Sequence, residues 1–79
     1  GTIEVDATAG AIIITLPLVA DSLGLRYEIK RIDAVPANLV TLNGNGTEYI
    51  DGHTTGIKIS TKSSYTVKAN SDENGWNII

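Results

Sequence analysis

Leu42-Asn43-Gly44-Asn45-Gly46-Thr47-Glu48-Tyr49-Ile50-Asp51-Gly52 decides how the chain is read. Two short apolar stretches, ending at Leu42 and Ile50, each run into an Asn-Gly or Asp-Gly turn signal. Such pairs tolerate positive φ and reverse a chain within a few residues. The same grammar extends in both directions. Arg26 to Ile32 alternates, with Tyr27 and Ile29 facing in and Arg26, Glu28 and Lys30 facing out. Alternation of this kind marks a half-buried strand.

Further strands are expected over residues 2–6, 11–16, 39–42, 47–50, 57–60, 64–69 and 76–79. Pro17 ends the second, because it offers no N–H to a ladder. Leu18 to Gly24 has room for one helical turn at most, which Asp21 or Ser22 would cap and Gly24 would stop; seven residues cannot sustain a helix alone. Ala7 to Gly10, Asp33 to Asn38, Thr61 to Ser63 and Asn70 to Gly75 read as turns, and His53-Thr54-Thr55-Gly56 as a link. Short strands at near-regular spacing predict an all-β domain, a compact antiparallel β-sandwich or short barrel of seven to eight strands. Its expected core is Val5, Ile12, Ile14, Leu16, Tyr27, Ile29, Val40, Leu42, Ile50, Ile57, Ile59, Val67, Trp76 and Ile78.

With 79 residues the chain reads as a single β domain over residues 1–79, able to serve as one module of a longer fibre. Domains of this size bury a modest fraction of their surface and usually need a disulfide, a metal or a partner chain. There are no cysteines and one histidine, so disulfides, thiolate sites and a histidine cluster are excluded. Association with other chains is left. Net charge is −3 and the six basic residues are dispersed, which argues against nucleic-acid binding through phosphates. No apolar stretch approaches bilayer length, and insertion into a membrane is not expected.

Several motifs invite a chemical reading and fail it. Asp51 and His53 are close in sequence, but no nucleophile-elbow pattern accompanies them, and no catalytic residue is assigned. Asp72-Glu73-Asn74-Gly75 lacks the ligand series of an EF-hand. Asn43-Gly44-Asn45-Gly46 lacks the lysine and helix of a phosphate loop. No enzyme activity, metal site or cofactor is expected. Ile12, Ile13 and Ile14 are interface candidates: Ile13 is apolar on the face opposite Ile12 and Ile14, as suits a strand covered on one side by a neighbouring chain. Tyr49 and Trp76 form a candidate ligand platform, since exposed aromatic faces stack on sugar rings; the competing assignment for Trp76 is the core.

The ordered series Ile14-Thr15-Leu16-Pro17, Gly24 with Tyr27-Glu28-Ile29-Lys30-Arg31, Asn38-Leu39-Val40-Thr41-Leu42, Asn43-Gly44-Asn45-Gly46, Ile50-Asp51-Gly52, Ser64-Tyr65-Thr66-Val67 and Gly75-Trp76-Asn77-Ile78-Ile79 resembles a β-domain of bacteriophage virion proteins. Such domains occur in tail fibres, tailspikes and head-decorating proteins. The resemblance implies a structural role in the virion, assembly in the host cytoplasm as a homotrimer, and contact with capsid or other virion proteins or with a host-surface glycan. A carbohydrate-binding module using Tyr49 and Trp76 is the alternative.

Overall fold

The computed structural model describes residues 1–53 and 56–79. Eight short strands run in chain order: β1 (Thr2–Val5), β2 (Ile12–Thr15), β3 (Arg26–Arg31), β4 (Val40–Asn43), β5 (Tyr49–Ile50), β6 (Ile57–Lys58), β7 (Ser64–Asn70) and β8 (Gly75–Ile78). All eight expected strands are present, with ends shifted by a residue or two. The link at Thr54 and Thr55 lies outside the described residues. Single 3₁₀ turns at Val19–Asp21 and Ser71–Glu73 interrupt the strands, and no α-helix forms among the described residues.

The strands make two sheets, ordered β1-β3-β7-β8-β5 and β2-β4-β6. Two expectations are corrected here. The sheets are mixed rather than antiparallel: β1 runs parallel to β3, β2 to β4 and β5 to β8. Nor is there a closed barrel, because β1, β5, β2 and β6 are all edge strands. The parallel pairs follow from the winding of the chain. It leaves β1 for the other sheet, forms β2, returns as β3 beside β1, and crosses again to lay β4 beside β2. Parallel neighbours require such a crossover: in chain order β2 lies between β1 and β3, β3 between β2 and β4, and β6 with β7 between β5 and β8.

Turn chemistry sets the reversals. Asp51 and Gly52 both take positive φ, 51° and 77°, and Ile50 and His53 exchange backbone hydrogen bonds around them. Two consecutive positive φ values are the signature of a type I′ hairpin turn. At the other end Asn74, at φ 49°, closes the 3₁₀ turn, and Gly75 begins β8. Gly75 has to be glycine for a different reason: a Cβ there would lie 2.2 Å from the Tyr49 carbonyl oxygen. The turn at Val19–Asp21 is not capped by Asp21 or Ser22 as expected. Both oxygens of the Glu48 carboxylate accept the Val19 N–H at 3.1 Å, and the Ser22 hydroxyl donates back to the Leu18 carbonyl.

The inner faces meet in one core of Val5, Ala7, Leu16, Val19, Ile29, Val40, Leu42, Ile50, Ile59, Val67, Ala69 and Trp76. Ile12, Ile14, Tyr27, Ile57, Tyr65 and Ile78 pack against it, partly buried. The expected core is therefore all inward-facing. The three-stranded sheet is too narrow to cover five strands. Leu16 and Val19 fill the remaining gap, and the Trp76 indole N–H donates to the Pro17 carbonyl at 3.3 Å.

An ion pair unforeseen in the pattern ties the connections together. Arg31 follows Tyr27 and Ile29 on the inward side of β3 and is 2% exposed. Its Nε and Nη2 donate to the two Asp33 oxygens, each at 3.0 Å. The same guanidinium donates to the carbonyls of Ile59, Val35 and Asn38. Asp33 in turn accepts the N–H groups of Ala7 and Val35, and the Asn38 amide donates to the Ala7 carbonyl. The β1–β2 connection, the β3–β4 connection and the segment after β6 are thus held at one point. A buried charge is tolerable only with pairing this complete.

The Arg31 hydrogen bonds, followed by the one from the Ala7 N–H, hold the Asp33 carboxyl far below its ordinary value of 3.8. A depressed folded-state pKa means that the unfolded chain takes up the proton first. This group's contribution is therefore complete above about pH 5 and declines as pH falls through the ordinary carboxylate range. Urea midpoints measured between pH 7 and pH 2 should fall more shallowly at the acid end in Asp33→Asn than in the parent. Parallel acid limbs for the two proteins would show that Asp33 does not carry the dependence.

Candidate assembly surface

β2 is the strand to which the structure leaves the most to do. Among the described residues it pairs with β4 alone. The Ile12 N–H donates to Leu39 and the Leu16 N–H to Asn43, both at 2.9 Å. Alternation along a strand then turns the even-numbered residues Ile12 and Ile14 toward β4 and aims the N–H and C=O of Ile13 and Thr15 at the free edge. Side chains alternate as well, across the sheet rather than along it. Ile12 and Ile14 face the core, while Ile13 stands on the outer face, 69% exposed. Leu39, diagonal to it on the same face just ahead of β4, is 52% exposed. Thr41, opposite Ile13, carries no charge.

The other three edges are better guarded. Natural edges avoid accidental pairing by being short or by carrying charge. β5 and β6 have two residues each, and β6 ends on Lys58. β5 stops at the Asp51-Gly52 reversal, where the Asp51 carboxylate accepts the Ile78 N–H at 3.0 Å. β1 has four residues but carries Glu4. β2, at four residues with neither charge nor proline, has no such guard.

The remaining candidates are placed as follows. Of the interface residues, Ile13 is open to solvent and Ile12 and Ile14 are half-buried at the rim of the core. Trp76 is fully buried, 5.7 Å from the Tyr27 ring centroid, and offers no face to a ligand. The large flat ring at an inward position of β8 fills the space between the sheets. Tyr49 is half-buried on β5, so the expected Tyr49–Trp76 platform does not form on this surface. Asp51 spends its carboxylate on β8, and His53 is exposed beside the turn. A groove of about 390 Å³ lies between Leu23 and Ile79 over Lys68, Asn70 and Asn77. Its two amides are engaged with each other, Asn70 Nδ2 donating to Asn77 Oδ1 at 2.7 Å.

Sequence reasoning missed the Arg31–Asp33 pair. The parity of Arg31 with Tyr27 and Ile29 was the available signal, with Asp33 two residues on as its partner. Comparison of the chain with protein-family models, curated proteins and solved structures finds no match.

Proposed function

We propose that the chain is a structural β-module that works by joining copies of itself, the role implied by its resemblance to bacteriophage virion domains. One observation carries this reading: β2 combines an unguarded backbone edge with a solvent-facing Ile13 beside Leu39. An uncharged edge under an apolar outer face is an association surface, and leaving it in water invites pairing with another chain. The thin stability margin of a small domain without disulfides points the same way.

Self-association is the part of the role that this surface supports. The homotrimer, the virion setting and attachment to capsid or host surface come from the resemblance alone. In that setting the module contributes shape and cohesion, and no catalytic residue is assigned to it. The test is the solution mass as a function of concentration, which should exceed one chain at high concentration. Substituting Ile13 with lysine should lower that mass without unfolding the domain, because the side chain is on the surface.

A further inference from the structure

We infer that two copies of this chain join through β2 in an antiparallel, two-fold pairing centred on Ile14, making one six-stranded sheet in the order β6-β4-β2-β2-β4-β6. This inference rests on the self-association proposed above and replaces the three-fold order of the resemblance with a two-fold one.

Four features of β2 lead to it. First, the free edge presents the backbone groups of two residues, Ile13 and Thr15, placed symmetrically about Ile14. A copy turned by a two-fold axis through Ile14 sets Ile13 opposite Thr15 and Thr15 opposite Ile13. In an antiparallel ladder such pairs exchange both N–H···O bonds. Every edge group of the two residues is then satisfied. The ladder ends naturally at Pro17, which has no N–H and whose carbonyl already accepts the Trp76 indole.

Second, the core is open at this edge. Ile12 and Ile14 point inward but remain half-buried, because among the described residues no strand lies beyond β2. In the two-fold pair Ile14 meets its own copy at a non-hydrogen-bonded position, where side chains approach most closely. Ile12 falls at the register position opposite Leu16 of the second copy. The pairing therefore closes the core over the residues that the single chain leaves at its rim.

Third, the strand is compatible with itself in charge. Pairing β1 or β6 with its own copy would place two like charges, from Glu4 or from Lys58, within one short ladder, where they are destabilising. β2 carries none. Fourth, the sheet is small. Three strands lie below the usual four to six, and the pairing brings the count to six. A second copy brings an equally uncharged strand and sets isoleucine against isoleucine at the two-fold axis.

Residue-resolved amide exchange of the parent chain at two concentrations tests this, with light-scattering mass measured alongside. Ile12 and Ile14 are bonded to β4 and should be protected throughout. Ile13 and Thr15 should become protected only as concentration rises and the mass approaches two chains. Ile13→Pro removes an edge N–H that β4 does not use, so it should remain folded and stay at one chain. Should that variant not fold, the parent's exchange pattern decides alone. A mass above one chain with Ile13 and Thr15 still exchanging freely overturns the strand pairing and leaves self-association standing. A mass of one chain at every concentration overturns both.

Discussion

Replacing Arg31 with methionine should lower the melting temperature on the order of 15–30 °C, the cost of breaking a buried ion pair in a domain of this size. Methionine fills much of the volume but donates nothing. Asp33 would keep its bonds from Ala7 and Val35 and lose the one counter-ion it has among the described residues. The carbonyls of Val35, Asn38 and Ile59 would lose their donor together. Because those carbonyls belong to the β3–β4 connection and to the segment after β6, and Asp33 reaches the β1–β2 connection through Ala7, the loss should loosen that whole end of the fold. Arg31→Lys should recover only part of the stability, since an ammonium keeps the charge but cannot fork onto both carboxylate oxygens. Circular-dichroism melts of the parent and both variants check this. A fall of only a few degrees in Arg31→Met would mean that the pair is dispensable.

Trp76→Ala is the second large effect. The side chain is fully buried, and its removal should cost about 3–5 kcal/mol. Against the usual 5–15 kcal/mol of total stability, much of the population would unfold near physiological temperature. The loss is more than volume. The indole covers Tyr27, bonds to the Pro17 carbonyl and sits opposite Ile50 in the β5–β8 pair. Trp76→Phe keeps most of the apolar area and gives up the hydrogen bond, so its cost should be nearer 1–2 kcal/mol. Urea midpoints followed by circular dichroism check both, because Trp76 is the only tryptophan and its fluorescence disappears with it. A folded Trp76→Ala of unchanged midpoint would place the ring on the surface.

Strand positions and their inward faces were legible in the alternation because each depends on a few adjacent residues. Tyr27 and Ile29, or Val67 and Ala69, need no knowledge of the rest of the chain to be read as inward. The Asp51-Gly52 reversal was legible for the same reason, since its positive φ values are a local demand. Strand order was not. Whether Ile3 lies beside Ile29 in a parallel pair depends on the path of the chain between them, and no local pattern records a crossover. Arg31 was hidden by its charge: a cation at an inward parity is costly unless it is paired. Although Asp33 lies two residues on, no local pattern records that the connection folds back to bring Asp33, Val35 and Asn38 onto the guanidinium together with the distant Ile59 carbonyl. Trp76 could serve a core or a surface equally well as a side chain, and only its position between the sheets decides. For the interface, Ile13 was legible as an apolar residue on the wrong face, while the free edge beside it became visible only with the sheet order.

The central claim is that β2 is an association surface, and the most direct test is the light-scattering mass of the parent chain at two concentrations about a hundredfold apart. The mass should lie above the 8.3 kDa of one chain at the higher concentration and fall toward it on dilution. A value of one chain at both concentrations would contradict it.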